Sequence, residues 1–182
     1  MIFTPLELPG VLKIDLARKS DDRGFFARYY CQEEFSLHGL ETKWVQMNTT
    51  LTVFKGTIRG LHYQREPKAE AKVVRCLRGK IYDVVVDLRK ESPSFGKWLS
   101  LELDEDNRSM LYIPKGFAHG FQTLESHTEL LYMHSELYSA DCEGGIRFDD
   151  PQLNITWPLS VVGISERDKK HPYLDTTKPI ST

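Results

Sequence analysis

Val73-Val74-Arg75-Cys76-Leu77-Arg78-Gly79-Lys80-Ile81-Tyr82-Asp83-Val84-Val85-Val86-Asp87-Leu88 is the stretch that decides the fold class of this chain. Two runs rich in β-branched residues flank a glycine between basic side chains, which reads as two strands and a tight turn, a β-hairpin. Strand signals continue outward from it. Phe95 to Leu103 alternates over its second half, Asp104-Glu105-Asp106-Asn107 forms a polar turn, and Met110-Leu111-Tyr112-Ile113 leads into Pro114-Lys115-Gly116. Thr128 to Ser135 is a further strand, while helical signals are confined to Gln32–His38 and Ser165–Lys170. Short strands punctuated by Gly, Pro and Asp turns predict an all-β sandwich or jelly roll. Residues 1–20 read as an N-terminal arm with strand character, able to pair with its own sheet or a partner's. Residues 172–182 read as a C-terminal tail, ordered at first and then frayed.

At 182 residues the chain has the size of one domain, and a 40% hydrophobic fraction is enough to build a core. A net charge of −2, without a block of either sign, gives no reason to expect a nucleic acid or a membrane surface as partner. Met1-Ile2-Phe3-Thr4-Pro5 has neither the basic start nor the apolar run of a signal peptide, and no stretch reaches the roughly 18–20 apolar residues of a membrane span. Cys31, Cys76 and Cys142 are an odd, scattered set, which reads as reduced thiols of a cytoplasmic protein.

The chemistry concentrates between Gly56 and Lys72, G-T-I-R-G-L-H-Y-Q-R-E-P-K-A-E-A-K. Arg59, His62 and Lys72 put a titratable imidazole beside two fixed cations, the set needed to take a proton from carbon and to hold the oxyanion that results. On a regular strand Arg59 and His62 would face opposite ways, and Gly60 between them supplies the bend that brings them together. As a base, His62 wants a carboxylate on its other nitrogen to fix tautomer and orientation. Without one it reads as a structural histidine.

Pro114-Lys115-Gly116-Phe117-Ala118-His119-Gly120-Phe121 presents a second histidine at the start of a strand. This P-x-G-x-x-H arrangement is half of a metal-binding cupin signature. The other half, two histidines one residue apart followed by a glutamate, is replaced here by His62-Tyr63-Gln64, so no metal is expected. Tyr132 and Tyr138 lie in an amphipathic run, where a phenol serves either packing or proton donation. Ser165-Glu166-Arg167-Asp168 is a charged run that stays on the surface unless it folds back onto a site.

With Arg59, His62, Lys72, His119, Tyr132 and Asp168 in this order, the chain resembles the dTDP-4-dehydrorhamnose 3,5-epimerases. The resemblance runs from Asp21-Asp22-Arg23-Gly24-Phe25-Phe26 to Ile164-Ser165-Glu166-Arg167-Asp168. It rests on R-G-L-H-Y-Q at 59–64, D-V-V-V-D-L-R at 83–89, S-P-S-F-G-K-W at 92–98, I-P-K-G-F-A-H-G-F at 113–121, F-D-D-P at 148–151, and Trp157-Pro158. It implies a cupin-type jelly roll (double-stranded β-helix) and a cofactor-free isomerase of nucleotide-sugar metabolism. Such an enzyme inverts C3 and C5 of a dTDP-linked 4-keto-6-deoxyhexose on the way to L-rhamnose. It further implies His62 as the base paired with Asp168, Lys72 as the oxyanion's cation, and Tyr132 as the acid on the opposite face. His119 and Arg59 would hold the sugar and phosphate. Gln46, Asn48, Tyr138 and Glu143 match positions that contact the nucleotide sugar.

By the same resemblance Arg23 matches a diphosphate-binding arginine supplied by the neighbouring subunit of a homodimer with exchanged N-terminal strands, a role suited to a guanidinium. Arg28 stands where the family usually carries a glutamate at the nucleotide base, and Arg167 replaces a more usual lysine. The charge reversal at Arg28 opens an alternative, a single-carbon epimerase on a CDP- or GDP-linked sugar. Two other classes compete: a metal-dependent cupin, which lacks its ligands here, and a sugar-binding jelly roll without catalysis, in which His62→Asn would change nothing.

Overall fold

A computed structural model describes residues 1–175 of the chain. Along the sequence come β1 (Ile2–Pro5), β2 (Leu12–Asp15), β3 (Lys19–Asp21), β4 (Gly24–Phe26), helix α1 (Gln32–Leu37), β5 (Gln46–Thr52), β6 (Ile58–Gln64), β7 (Lys72–Arg78) and β8 (Lys80–Asp87). These are followed by β9 (Trp98–Asp104), β10 (Met110–Ile113), β11 (Phe117–Thr123), β12 (Thr128–His134), β13 (Glu143–Gly145) and helix α2 (Glu166–Lys169). The strands form a six-stranded sheet in the order β1-β2-β10-β7-β12-β5, a five-stranded sheet in the order β13-β6-β11-β8-β9, and a separate β3-β4 ribbon. All neighbours are antiparallel, which makes the body a jelly-roll sandwich.

The strands expected on either side of Gly79 exist, but the hairpin does not. β7 pairs with β10 and β12, whereas β8 pairs with β9 and β11 in the other sheet. Only Gly79 separates the two strands, one residue short of the common two-residue hairpin loop. With φ at +73° it carries the chain across from one sheet to the other. A Cβ there would lie 2.7 Å from Thr128 Oγ1, so the corner is closed to larger residues.

This crossing accounts for the unbroken apolar runs. Val74, Cys76, Ile81, Val85, Phe121 and Leu130 fill the space between the sheets. Val73 on the outside of the six-stranded sheet is covered by Phe35 of α1, and Val84 and Val86 on the outside of the other sheet by Ile146, Leu153 and Leu174. Both strands are therefore buried on both faces, each fully enclosed aliphatic side chain contributing roughly 1.5–3 kcal/mol.

The N-terminal arm pairs with its own sheet: β1 lies on β2, and β2 on β10. The ribbon β3-β4 stands apart from both sheets, and Phe26 at its end is 71% exposed. Both short helices form where the sequence places them, α2 with Ser165 as its N-cap. In the tail, Leu174 packs against the five-stranded sheet and its N–H is bonded to Asp150, while residues 176–182 lie outside the described residues.

Candidate active site

A cleft of about 670 Å³ opens between the two sheets, within the range of small-molecule sites. His62, from β6 of the five-stranded sheet, and Lys72 and Tyr132, from β7 and β12 of the six-stranded sheet, all line it. The bend at Gly60 is a bulge: His62 pairs with His119 and Arg59 with Phe121, so three steps along β6 match two along β11. That extra residue restores Arg59 and His62 to one side of the strand, and both line the cleft. Gly60 has φ at +118°, and a Cβ on it would sit 2.6 Å from Gly120 Cα.

Asp168 arrives from α2. Its N–H is capped by Ser165 Oγ at 3.0 Å, its Oδ1 lies 2.8 Å from His62 Nε2, and its Oδ2 accepts the Gly60 N–H at 3.2 Å. Burial pushes its pKa up, but the bond and charge of His62, the Gly60 N–H and the Ser165 hydroxyl outweigh burial and hold it at about 2. An ionised carboxylate only accepts, so the proton of that bond sits on His62 Nε2, and whenever the ring is neutral its lone pair is on Nδ1. The carboxylate that the sequence reading required for a basic histidine is thus in place.

Tyr132 contacts Thr50 Oγ1 at 3.4 Å and meets the His119 ring edge-on at 6.3 Å. Burial drives its pKa upward, so it stays a proton-bearing phenol at neutral pH. Lys72 Nζ lies 3.1 Å from Glu70 Oε1. His119, which lines the cleft, has its Nε2 2.5 Å from Oδ1 of the fully buried Asp83, a second histidine–aspartate pair. Arg59 is held by Thr52 Oγ1 at 3.0 Å and the Leu51 carbonyl at 3.4 Å, leaving its charge available to an anion.

At the rim, Arg167 Nη1 donates to both oxygens of Glu143 at 3.1 Å, and the Tyr138 hydroxyl donates to the same carboxylate at 3.1 Å. Asn48 lines the cleft, whereas Gln46 reaches it through the Tyr138 N–H, which it accepts at 3.3 Å. Arg23 and Arg28 are not brought in. Arg23 lies in the β3-β4 ribbon, paired with Asp21 at 2.7 Å, and Arg28 is paired with Glu34 at 2.9 Å.

Several residues of the cleft were not singled out in the sequence. Glu70 lies two residues before Lys72 within the Gly56–Lys72 motif, and His134 two residues after Tyr132, so period-two spacing could have found both. Asp83 depends on strand register, which no local pattern reveals.

His171 also joins the dyad, its Nε2 3.6 Å from Asp168 Oδ1. His62, Asp168 and His171 place donor atoms within 4.8 Å of one another, close enough to test as a metal site. The Arg167 guanidinium stands 3.3 Å from His62 Nε2 and 3.7 Å from Asp168 Oδ1, so a fixed positive charge already occupies the ground a cation would need. The donor types would suit a metal, but the guanidinium opposes one.

A family model described as dTDP-4-dehydrorhamnose 3,5-epimerase matches residues 5–176. The chain belongs to the dTDP-4-dehydrorhamnose 3,5-epimerase family. The dTDP-4-dehydrorhamnose 3,5-epimerase of Salmonella typhimurium is 42% identical over 177 residues, covering 96% of each chain. The dTDP-4-dehydrorhamnose 3,5-epimerase of Bacillus anthracis, solved with TDP and PPi bound, superimposes with a TM-score of 0.91 at 40% identity over 95% of this chain and 99% of that one. A dTDP-6-deoxy-D-glucose-3,5-epimerase of Legionella pneumophila, solved with dTDP-4-keto-L-rhamnose, gives 0.91 at 33% identity over 100% and 98%. In this member of the epimerase family, as in those relatives, the jelly roll is of the cupin type.

Proposed function

We propose that the protein inverts C3 and C5 of a dTDP-linked 4-keto-6-deoxyhexose by proton transfer beside the ketone, a step of deoxysugar biosynthesis leading to L-rhamnose. The observation that carries this reading is that His62 with Asp168 stands on one sheet and Tyr132 on the facing one, across a single cleft. Inversion needs a base and an acid on opposite faces of the sugar ring.

The protons on C3 and C5 both flank the carbonyl, so removing either gives an enolate. His62 Nδ1 takes the proton, and Asp168 stabilises the imidazolium that forms. Lys72 stabilises the charge that develops on the carbonyl oxygen. Tyr132, kept neutral by its burial, returns a proton from the other side. The cycle moves protons without net oxidation, so these side chains supply its acid and base. His119, oriented by Asp83, borders the sugar, Arg59 faces the phosphates, and Asn48, Tyr138, Glu143 and Arg167 frame the nucleotide end.

The protein acts as a homodimer in this reading. Phe25 and Phe26 on the β3-β4 ribbon and Met47 and Leu51 on the edge strand β5 are exposed, the kind of apolar surface and unpaired edge a second copy would cover. Exchange of the ribbon between subunits would deliver Arg23 to the neighbouring cleft as a diphosphate ligand. The free thiols Cys31, Cys76 and Cys142 agree with a cytoplasmic enzyme. Among the described residues no helix is long and apolar enough to cross a membrane.

The deciding experiment is proton NMR in D2O with dTDP-4-keto-6-deoxyglucose. Deuterium is expected at both C3 and C5. Incorporation at one carbon would make this a single-centre epimerase. No incorporation, with CDP and GDP analogues turned over instead, would overturn the dTDP assignment and direct attention to Arg28.

A further inference from the structure

The cation assigned to the enolate oxygen does not stand alone. Lys72 Nζ pairs with Glu70 Oε1 at 3.1 Å, and the other oxygen of Glu70 lies 2.8 Å from His134 Nδ1. The side chains of Lys72, Glu70 and His134 are only 10%, 8% and 14% exposed, and all three line the cleft. Burial raises the Glu70 pKa, but the His134 bond and the Lys72 charge prevail and bring it below the ordinary carboxylate value, so Glu70 is ionised and only accepts. The proton of the second bond therefore sits on His134 Nδ1. The His134 ring in turn lies over Tyr132, 6.1 Å between centroids and 26° from parallel.

Lysine is a flexible four-carbon stem ending in a point charge, so nothing in its own geometry fixes where the charge stands. A carboxylate held from its far side by a ring that is itself packed on a tyrosine does fix it. We propose that Glu70 and His134 are positioning residues for Lys72, Glu70 aiming the ammonium at the developing oxyanion and His134 locking Glu70. This rests on the epimerase reading above and extends it. The register of β7 against β12 supplies the means, since Lys72 and His134 are direct cross-strand partners.

The test measures kcat and KM of the full chain in the deuterium-exchange assay for wild type, Glu70→Asp, His134→Ala and His134→Asn. Glu70→Asp keeps the compensating charge beside Lys72 but shortens its reach by one methylene. Turnover should fall by roughly ten- to a hundredfold in Glu70→Asp and His134→Ala, with KM within about threefold of wild type. His134→Asn, whose amide still donates to Glu70, should recover most of the loss in His134→Ala. Thermal unfolding of each variant checks that it is folded. Should Glu70→Asp prove unfolded, the His134 pair decides alone.

Wild-type turnover in folded Glu70→Asp and His134→Ala would overturn the proposal, as would a raised KM with unchanged kcat in Glu70→Asp, which would make Glu70 a substrate ligand. Equal loss in His134→Ala and His134→Asn would remove His134 from it. If wild type itself exchanges no deuterium with any nucleotide sugar, the functional reading fails rather than this one.

Discussion

His62 and Tyr132 face each other across the sandwich, one from each sheet, and no element carries both. That separation lets their roles be pulled apart. His62→Asn should slow deuterium exchange and inversion together, with turnover reduced by about 10²–10⁴-fold, the usual weight of a general base. Tyr132→Phe should still exchange, because the base can return deuterium to the face it deprotonated, but the product should keep its starting configuration. NMR of the sugar recovered from D2O reports both. Normal inversion by Tyr132→Phe would assign the acid to another group.

Asp168 makes stability depend on acid. Its pKa is lowered in the fold to about 2 from an ordinary 3.8. A depressed carboxylate stabilises fully above its unfolded value, and the contribution is lost as pH falls toward the folded one. Wild type should exceed Asp168→Asn by on the order of 2 kcal/mol at pH 5, and the gap should close between about pH 4 and pH 2. Urea unfolding at several pH values checks this. A gap independent of pH would trace it to packing instead.

Gly60→Ala should damage fold and catalysis together. Its Cβ would meet Gly120 Cα at 2.6 Å and the His119 carbonyl at 2.7 Å, on a backbone with φ at +118°. A loss on the order of 3 kcal/mol is expected, read by thermal unfolding. Turnover should drop by more than about a hundredfold, because the bulge sets the spacing of Arg59 and His62.

The three cysteines should differ sharply in reactivity. The Cys76 thiol is pushed up to about 12 by burial, and it donates to the carbonyls of Arg78 and Gly79 at 3.2 Å. Cys31 and Cys142 are partly exposed. A disulfide exchange reagent at pH 8 should titrate two thiols in the native protein and the third only after denaturation. Three fast thiols would contradict the enclosed core at β7.

Strand content, both helices and the Gly60 bend were legible because each leaves a local mark: β-branched runs, a serine before a charged turn, a glycine inside an apolar pattern. The partners of β7 and β8 were not. Pairing across a jelly roll joins residues far apart in sequence, and a glycine between two strands looks alike whether it closes a hairpin or turns a corner. In the site, His62, Lys72 and His119 could be read from their motifs. Glu70 and His134 left only a period-two spacing beside Lys72 and Tyr132, and Asp83 left no mark, since its meaning lies in which strand lies alongside. Arg23 and Arg28 lie outside the cleft of their own chain, and nothing local to them shows that.

The dyad also has a consequence for how the protein is made. His62 and Asp168 are 106 residues apart, and the same carboxylate that orients the imidazole also caps the N–H freed by the Gly60 bulge. During synthesis β6 leaves the ribosome long before α2, so His62 first exists without its carboxylate and the bulge without its bond. On the proposed mechanism, catalytic competence is then among the last properties the chain acquires. A product cut short before residue 168 would carry every strand of both sheets and, on the proposed mechanism, still be inert, so the activity of a preparation would count finished molecules rather than folded ones.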